Sequence, residues 1–156
     1  MKLQWFEQEQ ATSCVAACVR MVLSSYGAAY SEAEIRQWLG NPRLGITLSA
    51  AQAQLAQTGA VAEWHDDWGL DDLRDTLRQG AHPILGVERQ LFGASPARHA
   101  VVLVSLTRQA VLALDPFATA RPQKYGLPTF ARAWKLAGQE ALLILAPPSF
   151  TVTFEF

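Results

Sequence analysis

The chain has no apolar run that approaches membrane-spanning length, no block of like charge, and only two cysteines among its 156 residues. Each absence removes a class of function. A bilayer crossing needs about 20 consecutive apolar residues, so no transmembrane segment is expected. The stretch MKLQWFEQEQ is polar and acidic where a secretory signal would carry its apolar core, which points to a cytoplasmic protein. The 13 basic and 14 acidic residues leave a formal charge of −1 and are scattered. Such a surface offers no electrostatic footprint for nucleic acid or an acidic membrane. Cys14 and Cys18 stand four apart, as neighbours on successive helical turns, and both read as free thiols. With three dispersed histidines they give no paired ligand spacing, so neither a metal nor a cofactor is expected.

Half of the residues are hydrophobic, enough to bury a core in one domain spanning 1–156, and no repeat or low-complexity stretch divides it. The first half has helical period. Val15, Cys18, Val19, Val22 and Leu23 predict a helix from Cys14 to Tyr26, with Gly27 as its left-handed terminator. Ser31 and Glu34 form a capping box before Ile35, Trp38 and Leu39. Thr47 or Ser49 caps a third helix through Gln57, and Ala60–Trp64 reads as a strand. Asp71 and Asp72 open a fourth helix that ends at Gly80.

The period then changes. Pro83–Val87, His99–Leu106, Ala110–Leu114 and Ala141–Leu145 are short runs rich in Val, Ile and Leu, as buried strands are. Thr107-Arg108-Gln109 is short enough to join two of them as a hairpin, so a mostly antiparallel sheet with helices ahead of it is expected, an α+β class. Residues 115–129 read as a loop, Thr129 as the cap of a last helix through Ala137, and Phe150–Phe156 as an alternating strand.

Three residues carry chemistry by their placement. Cys14 opens a helix, His99 opens a buried strand, and Asp115 closes the next strand. A cysteine is a nucleophile as its thiolate, which a helix N-terminus and an imidazole both favour. Taken singly, each has a plain structural alternative: a small core thiol, a satisfied core histidine, a turn-forming Asp-Pro. Cys18, inside an apolar helix, reads as core. His65 and His82 lack a comparable setting, and Trp5, Trp38, Trp64, Trp68 and Trp134 are dispersed as core or cleft-wall residues.

The stretch QEQATSCVAACVRMVLSSYG resembles the Q-x5-[DC]-G-x-A-C-L-x-M-[IVL]-x-x-Y-G stretch of family C39, the bacteriocin or double-glycine leader peptidases, which are papain-like cysteine peptidases. GITLSAAQAQLAQTGAVAE is similar to that family's next helix and strand. HAVVLV and LALDP are similar to its histidine and aspartate strands, 115 − 99 = 16 apart, and FARAWKLAGQEALLIL to its closing helix and strand. The resemblance covers residues 4–147.

It implies a papain-like fold in which Cys14 carries an acyl-thioester, His99 moves the proton, and Asp115 holds the imidazole. Gln8, six residues before Cys14 (14 − 8 = 6), is the implied oxyanion donor, with Gln4 and Gln10 as competitors in this glutamine-rich stretch. Ser13-Cys14-Val15 departs from the family's Asp-Cys-Gly and puts a side chain at the glycine position, which bears on the channel that admits a Gly-Gly pair. Asp115-Pro116-Phe117-Ala118 lacks the glycine that commonly follows. The implied substrate is a peptide or protein, in the family a leader peptide, with an exporter or fused domain as possible partner. Alternatives are a C39-like peptide-binding module without turnover, or a papain-like hydrolase or acyltransferase of toxin, amidase or transglutaminase type.

Overall fold

The computed structural model describes residues 2–118 and 120–149. The expected strand at Phe150–Phe156 lies outside them. The helix α1, Cys14–Ser24, is buried on every side: Ala16, Ala17 and Met21 are as hidden as Val15, Cys18, Val19 and Val22. A helix this apolar, with Arg20 its one charged residue, belongs in a core. Gly27, at φ 76°, turns the chain after it as the sequence predicts.

The helix α2, Glu32–Trp38, is capped by Ser31, whose Oγ accepts the Glu34 N–H at 3.1 Å. Thr47, not Ser49, caps α3, Leu48–Gln57, by accepting the Ala50 N–H at 3.2 Å. Then come β1 (Val61–His65), α4 (Leu70–Arg78) and β2 (Ile84–Glu88), followed by a short 3-10 helix, Arg89–Phe92. The chain continues through β3 (Arg98–Leu106), β4 (Ala110–Leu114), β5 (Gln123–Gly126), α5 (Leu127–Leu136) and β6 (Ala141–Ala146).

Two expectations need correction here. The segment 115–129 is not all loop, since Gln123–Gly126 pairs antiparallel with β4 as the sheet's edge strand. The last helix begins at Leu127 rather than after Thr129, with Pro128 in its first turn, where a missing N–H costs nothing.

The six strands lie in the order β1-β6-β2-β3-β4-β5, and the five pairings are antiparallel. The run HAVVLV forms the middle of this sheet. On β3, Ala100 and Val102 face α1, α2 and α3, while Val101 and Leu103 face α4 and α5. Burial on both faces explains why the run shows no polar alternation. Each fully buried Val or Leu there contributes roughly 1.5–3 kcal/mol.

The N-terminal segment is strapped across the end of β4. The Trp5 indole N–H donates to Asp115 O at 2.8 Å and the Gln8 N–H to Pro116 O at 2.9 Å. Thr12 Oγ1 donates to Arg43 O at 3.1 Å, tying the loop before α1 to the loop before α3. These bonds bring segments distant in sequence to one edge of the helix–sheet interface.

Candidate active site

Cys14 is the first residue of α1, half-buried where the helix N-terminus meets β3. Ser13 occupies the N-cap position without capping the helix. Its hydroxyl accepts the Gln10 N–H at 3.0 Å and donates to Glu32 Oε1 at 3.1 Å, with the Gln10 carbonyl as a second acceptor at 3.0 Å. The first-turn N–H groups therefore keep their positive field for the thiol of Cys14.

Glu32 was not singled out in the sequence, yet it organises this loop. Its carboxylate is fully buried and accepts from Glu9 N–H at 2.9 Å, from Ser13 Oγ, and from Arg36 Nε at 2.9 Å. Glu9 and Ser13 are the residues after Gln8 and before Cys14. A buried charge is tolerated when it is paired and hydrogen-bonded, and here that pairing holds the approach to α1 in one shape. An acidic residue in a helix's first turn is ordinary, so nothing in the sequence marked Glu32 out.

His99, the second residue of β3, is almost wholly buried, and its Nε2 lies 2.6 Å from Asp115 Oδ1. That contact fixes the ring and leaves Nδ1 for the thiol. The same Asp115 oxygen accepts the Phe117 N–H at 2.8 Å. Phe117 stands edge-on to the imidazole at 6.3 Å between ring centres, and the Arg89 guanidinium lies over its ring at 4.6 Å.

The electrostatics of the three groups agree. Burial alone would push the Cys14 thiol up, but hydrogen bonding and charge from His99, with the N–H groups of Ala100 and Val15, hold it below its ordinary range. For His99 burial disfavours the cation, and bonds and charge from Asp115 and Cys14 overcome it, raising the imidazole to about 9. Burial would raise Asp115 too, yet His99, the Phe117 N–H and Arg89 keep it below the usual carboxylate value. A thiolate–imidazolium pair over a carboxylate is the state these shifts favour. Cys18, one turn on, is fully buried; burial, then the charges of Cys14 and Asp115, push its thiol well above the ordinary value.

A cleft of about 420 Å³ opens over Cys14 and His99. Val15, Leu44, Ile46 and Leu48 give it an apolar wall, and Leu44 is almost fully exposed at the rim. Val15 thus lines the cleft where the sequence comparison expects glycine. Gln8 lines it as well. Its Nε2 donates to the carbonyls of Gln10, at 2.8 Å, and Ala11, at 3.1 Å, and its Oε1 is buried with no hydrogen-bond partner among the described residues.

Of the four residues expected to carry chemistry, the structure brings Gln8, Cys14 and His99 to one cleft, with Asp115 behind the imidazole rather than in the cleft wall and the Gln8 amide nitrogen turned to its own loop. Neither His65 nor His82 lines that cleft: His65 stacks on Trp68 and meets Glu63, and His82 Nδ1 meets Leu103 O.

A family model described as Peptidase_C39 like family matches residues 1–142. The chain belongs to that family. No relative is found among curated proteins. Solved structures share the fold of this C39-like chain across nearly its whole length. One is a Bacillus anthracis protein described as a C39-like peptidase, at 13% identity and a TM-score of 0.78, covering 95% of this chain and 96% of that one. Another is the peptidase domain of Streptococcus ComA, a bifunctional ABC transporter of a quorum-sensing pathway, at 18% identity and 0.75, covering 94% and 99%. A third is a double glycine motif protease from an AMS/PCAT transporter in complex with a leader peptide, at 20% identity and 0.70, covering 95% and 93%. At these identities the likeness speaks for the fold. No helix among the described residues is long and apolar enough to cross a membrane.

Proposed function

We propose that this C39-like chain is a cytoplasmic cysteine peptidase acting as one domain over residues 1–156, and that it cuts a peptide after a pair of small residues of the Gly-Gly type at the end of a leader. The observation that carries this reading is the joint geometry of Cys14, His99 and Asp115: a thiol at a helix N-terminus and an imidazole held by a carboxylate at 2.6 Å. The titration directions of the three groups support the same ion pair.

In this mechanism the Cys14 thiolate attacks the scissile carbonyl and forms a tetrahedral oxyanion. The His99 cation gives its proton to the departing amine, leaving Cys14 acylated. The neutral imidazole then takes a proton from water, whose oxygen attacks the thioester and frees the carboxylic acid product and the Cys14 thiolate, restoring the ion pair with His99. Asp115 stabilises the imidazolium and holds its orientation. The oxyanion is met by the Cys14 N–H and by Gln8, which turns one amide N–H from the Gln10 and Ala11 carbonyls into the cleft.

One observation favours a second reading. With Gln8 Nε2 engaged by its own loop and Val15 lining the cleft, the chain would bind a peptide without turning it over. Incubation of wild type and Cys14→Ala with a peptide ending its leader in Gly-Gly separates the two: cleavage by wild type alone supports the peptidase, whereas binding by both with no cleavage supports the module.

A further inference from the structure

Two cations flank His99, and neither forms an ion pair among the described residues. Arg98 precedes it on β3, exposed, opposite Glu88 of β2. Arg89 follows Glu88, bonded through its N–H to Ala97 O at 3.0 Å, its guanidinium over the Phe117 ring. Both line the cleft that holds Cys14.

The carboxylates around them are committed elsewhere. Glu88 Oε1 accepts the N–H groups of Ala97, at 3.0 Å, and Gln90, at 3.4 Å. Asp115 Oδ1 serves His99 and Phe117. Glu140, which also lines the cleft, precedes β6, two strands from β3, and accepts the Trp64 indole N–H at 3.0 Å. Among the described residues no carboxylate lies within ion-pair distance of Arg89 or Arg98, and Asp115 feels Arg89 only at longer range, so the His99 end of the cleft presents their guanidinium groups.

The chemistry says which part of a substrate meets that charge. His99 must protonate the departing amine, so the segment leaving with that amine lies on the imidazole's side of the sulfur. It passes Arg98 and Arg89. Guanidinium groups suit carboxylates because their paired donors match both oxygens.

We propose that the leaving side of the substrate carries a carboxylate within reach of Arg89 and Arg98, either an acidic side chain next to the scissile bond or the C-terminal carboxylate of a short leaving peptide. This rests on the peptidase reading for its direction along the cleft, and its test does not depend on turnover.

Fluorescence anisotropy of labelled peptides on the Cys14→Ala protein gives the affinity directly. Peptides with Gly-Gly followed by Glu, Gln or Lys and an amidated C-terminus are compared with the Gln peptide shortened to end in a free carboxylate there. An exposed carboxylate–guanidinium pair at the upper end of its usual strength corresponds to about fivefold in affinity. The Glu peptide or the free-carboxylate peptide binds about fivefold tighter than amidated Gln, and which of the two does so names the source. The preference fades with salt and is lost in Arg98→Gln and in Arg89→Gln/Arg98→Gln backgrounds. Equal affinity for all peptides, or a preference that survives both backgrounds, overturns the proposal. If wild type cuts none of them while Cys14→Ala still discriminates, the peptidase reading falls and the carboxylate site stands.

Discussion

At Cys14 the helix N-terminus, the His99 imidazole and the Ala100 N–H all favour the thiolate, whereas one turn later Cys18 is sealed among apolar side chains with its thiol pushed well up. Iodoacetamide near neutral pH is expected to label Cys14 at least about tenfold faster than Cys18, read by peptide mass mapping; equal rates would contradict an activated Cys14. The same charges set the pH profile. The ion pair exists above the lowered value of Cys14 and below that of His99, so kcat/KM falls on the acid side as the thiolate protonates and on the alkaline side through about 9 as His99 loses its proton. Asp115→Asn removes what holds His99 up. Its alkaline limb moves to lower pH and kcat/KM drops by about 10²–10⁴; an unmoved limb would assign that titration to another group. Glu32→Gln keeps the shape but leaves Arg36 and two donors poorly matched, costing about 1–3 kcal/mol of stability by urea titration. Little of this network was legible, because Glu32 meets Glu9 and Ser13 only once α2 packs against the loop before α1.

The elements that sequence reasoning located are those with strong period or punctuation: α1 with Gly27 behind it, α2 behind Ser31, and β3 and β4 joined across Thr107–Gln109. Those it missed have neither. Gln123–Gly126 is a short polar edge strand whose bonds go to β4, and Arg89–Phe92 is a single tight turn. The start of α5 was misplaced because Pro128 read as a loop residue when it was a helix-opening one. At the mouth of α1 the element and the cleft meet in Val15. Replacing it by glycine costs about 0.3–0.5 kcal/mol of helix propensity, beyond the packing lost, and clears the wall beside the thiol. Val15→Gly is expected to lower Tm while raising kcat/KM for a Gly-Gly leader peptide. A fall in both would show that the valine shapes the site it lines.

Across the whole molecule, the six-stranded sheet carries His99 on β3 and Asp115 at the residue that follows β4 while α1 delivers Cys14 from one face, so the three side chains meet through the layer arrangement rather than through one loop. Folding and titration are therefore linked. His99 rises from an ordinary 6.5 to about 9, so its contribution to stability is complete below the lower value and is lost as pH rises through the upper one. Over that range the Tm of wild type is expected to fall more than that of His99→Gln. Cys14 and Asp115 have the opposite sign: their contributions are lost as pH falls through their lowered values. The central claim, that Cys14 is an acyl-accepting nucleophile, is tested most directly by intact-mass analysis of wild type and Cys14→Ala after incubation with a Gly-Gly leader peptide and then with a peptide aldehyde. Cleaved peptide and a thiohemiacetal adduct are expected for wild type alone; intact peptide and no adduct in wild type that still binds the leader would contradict a nucleophilic Cys14.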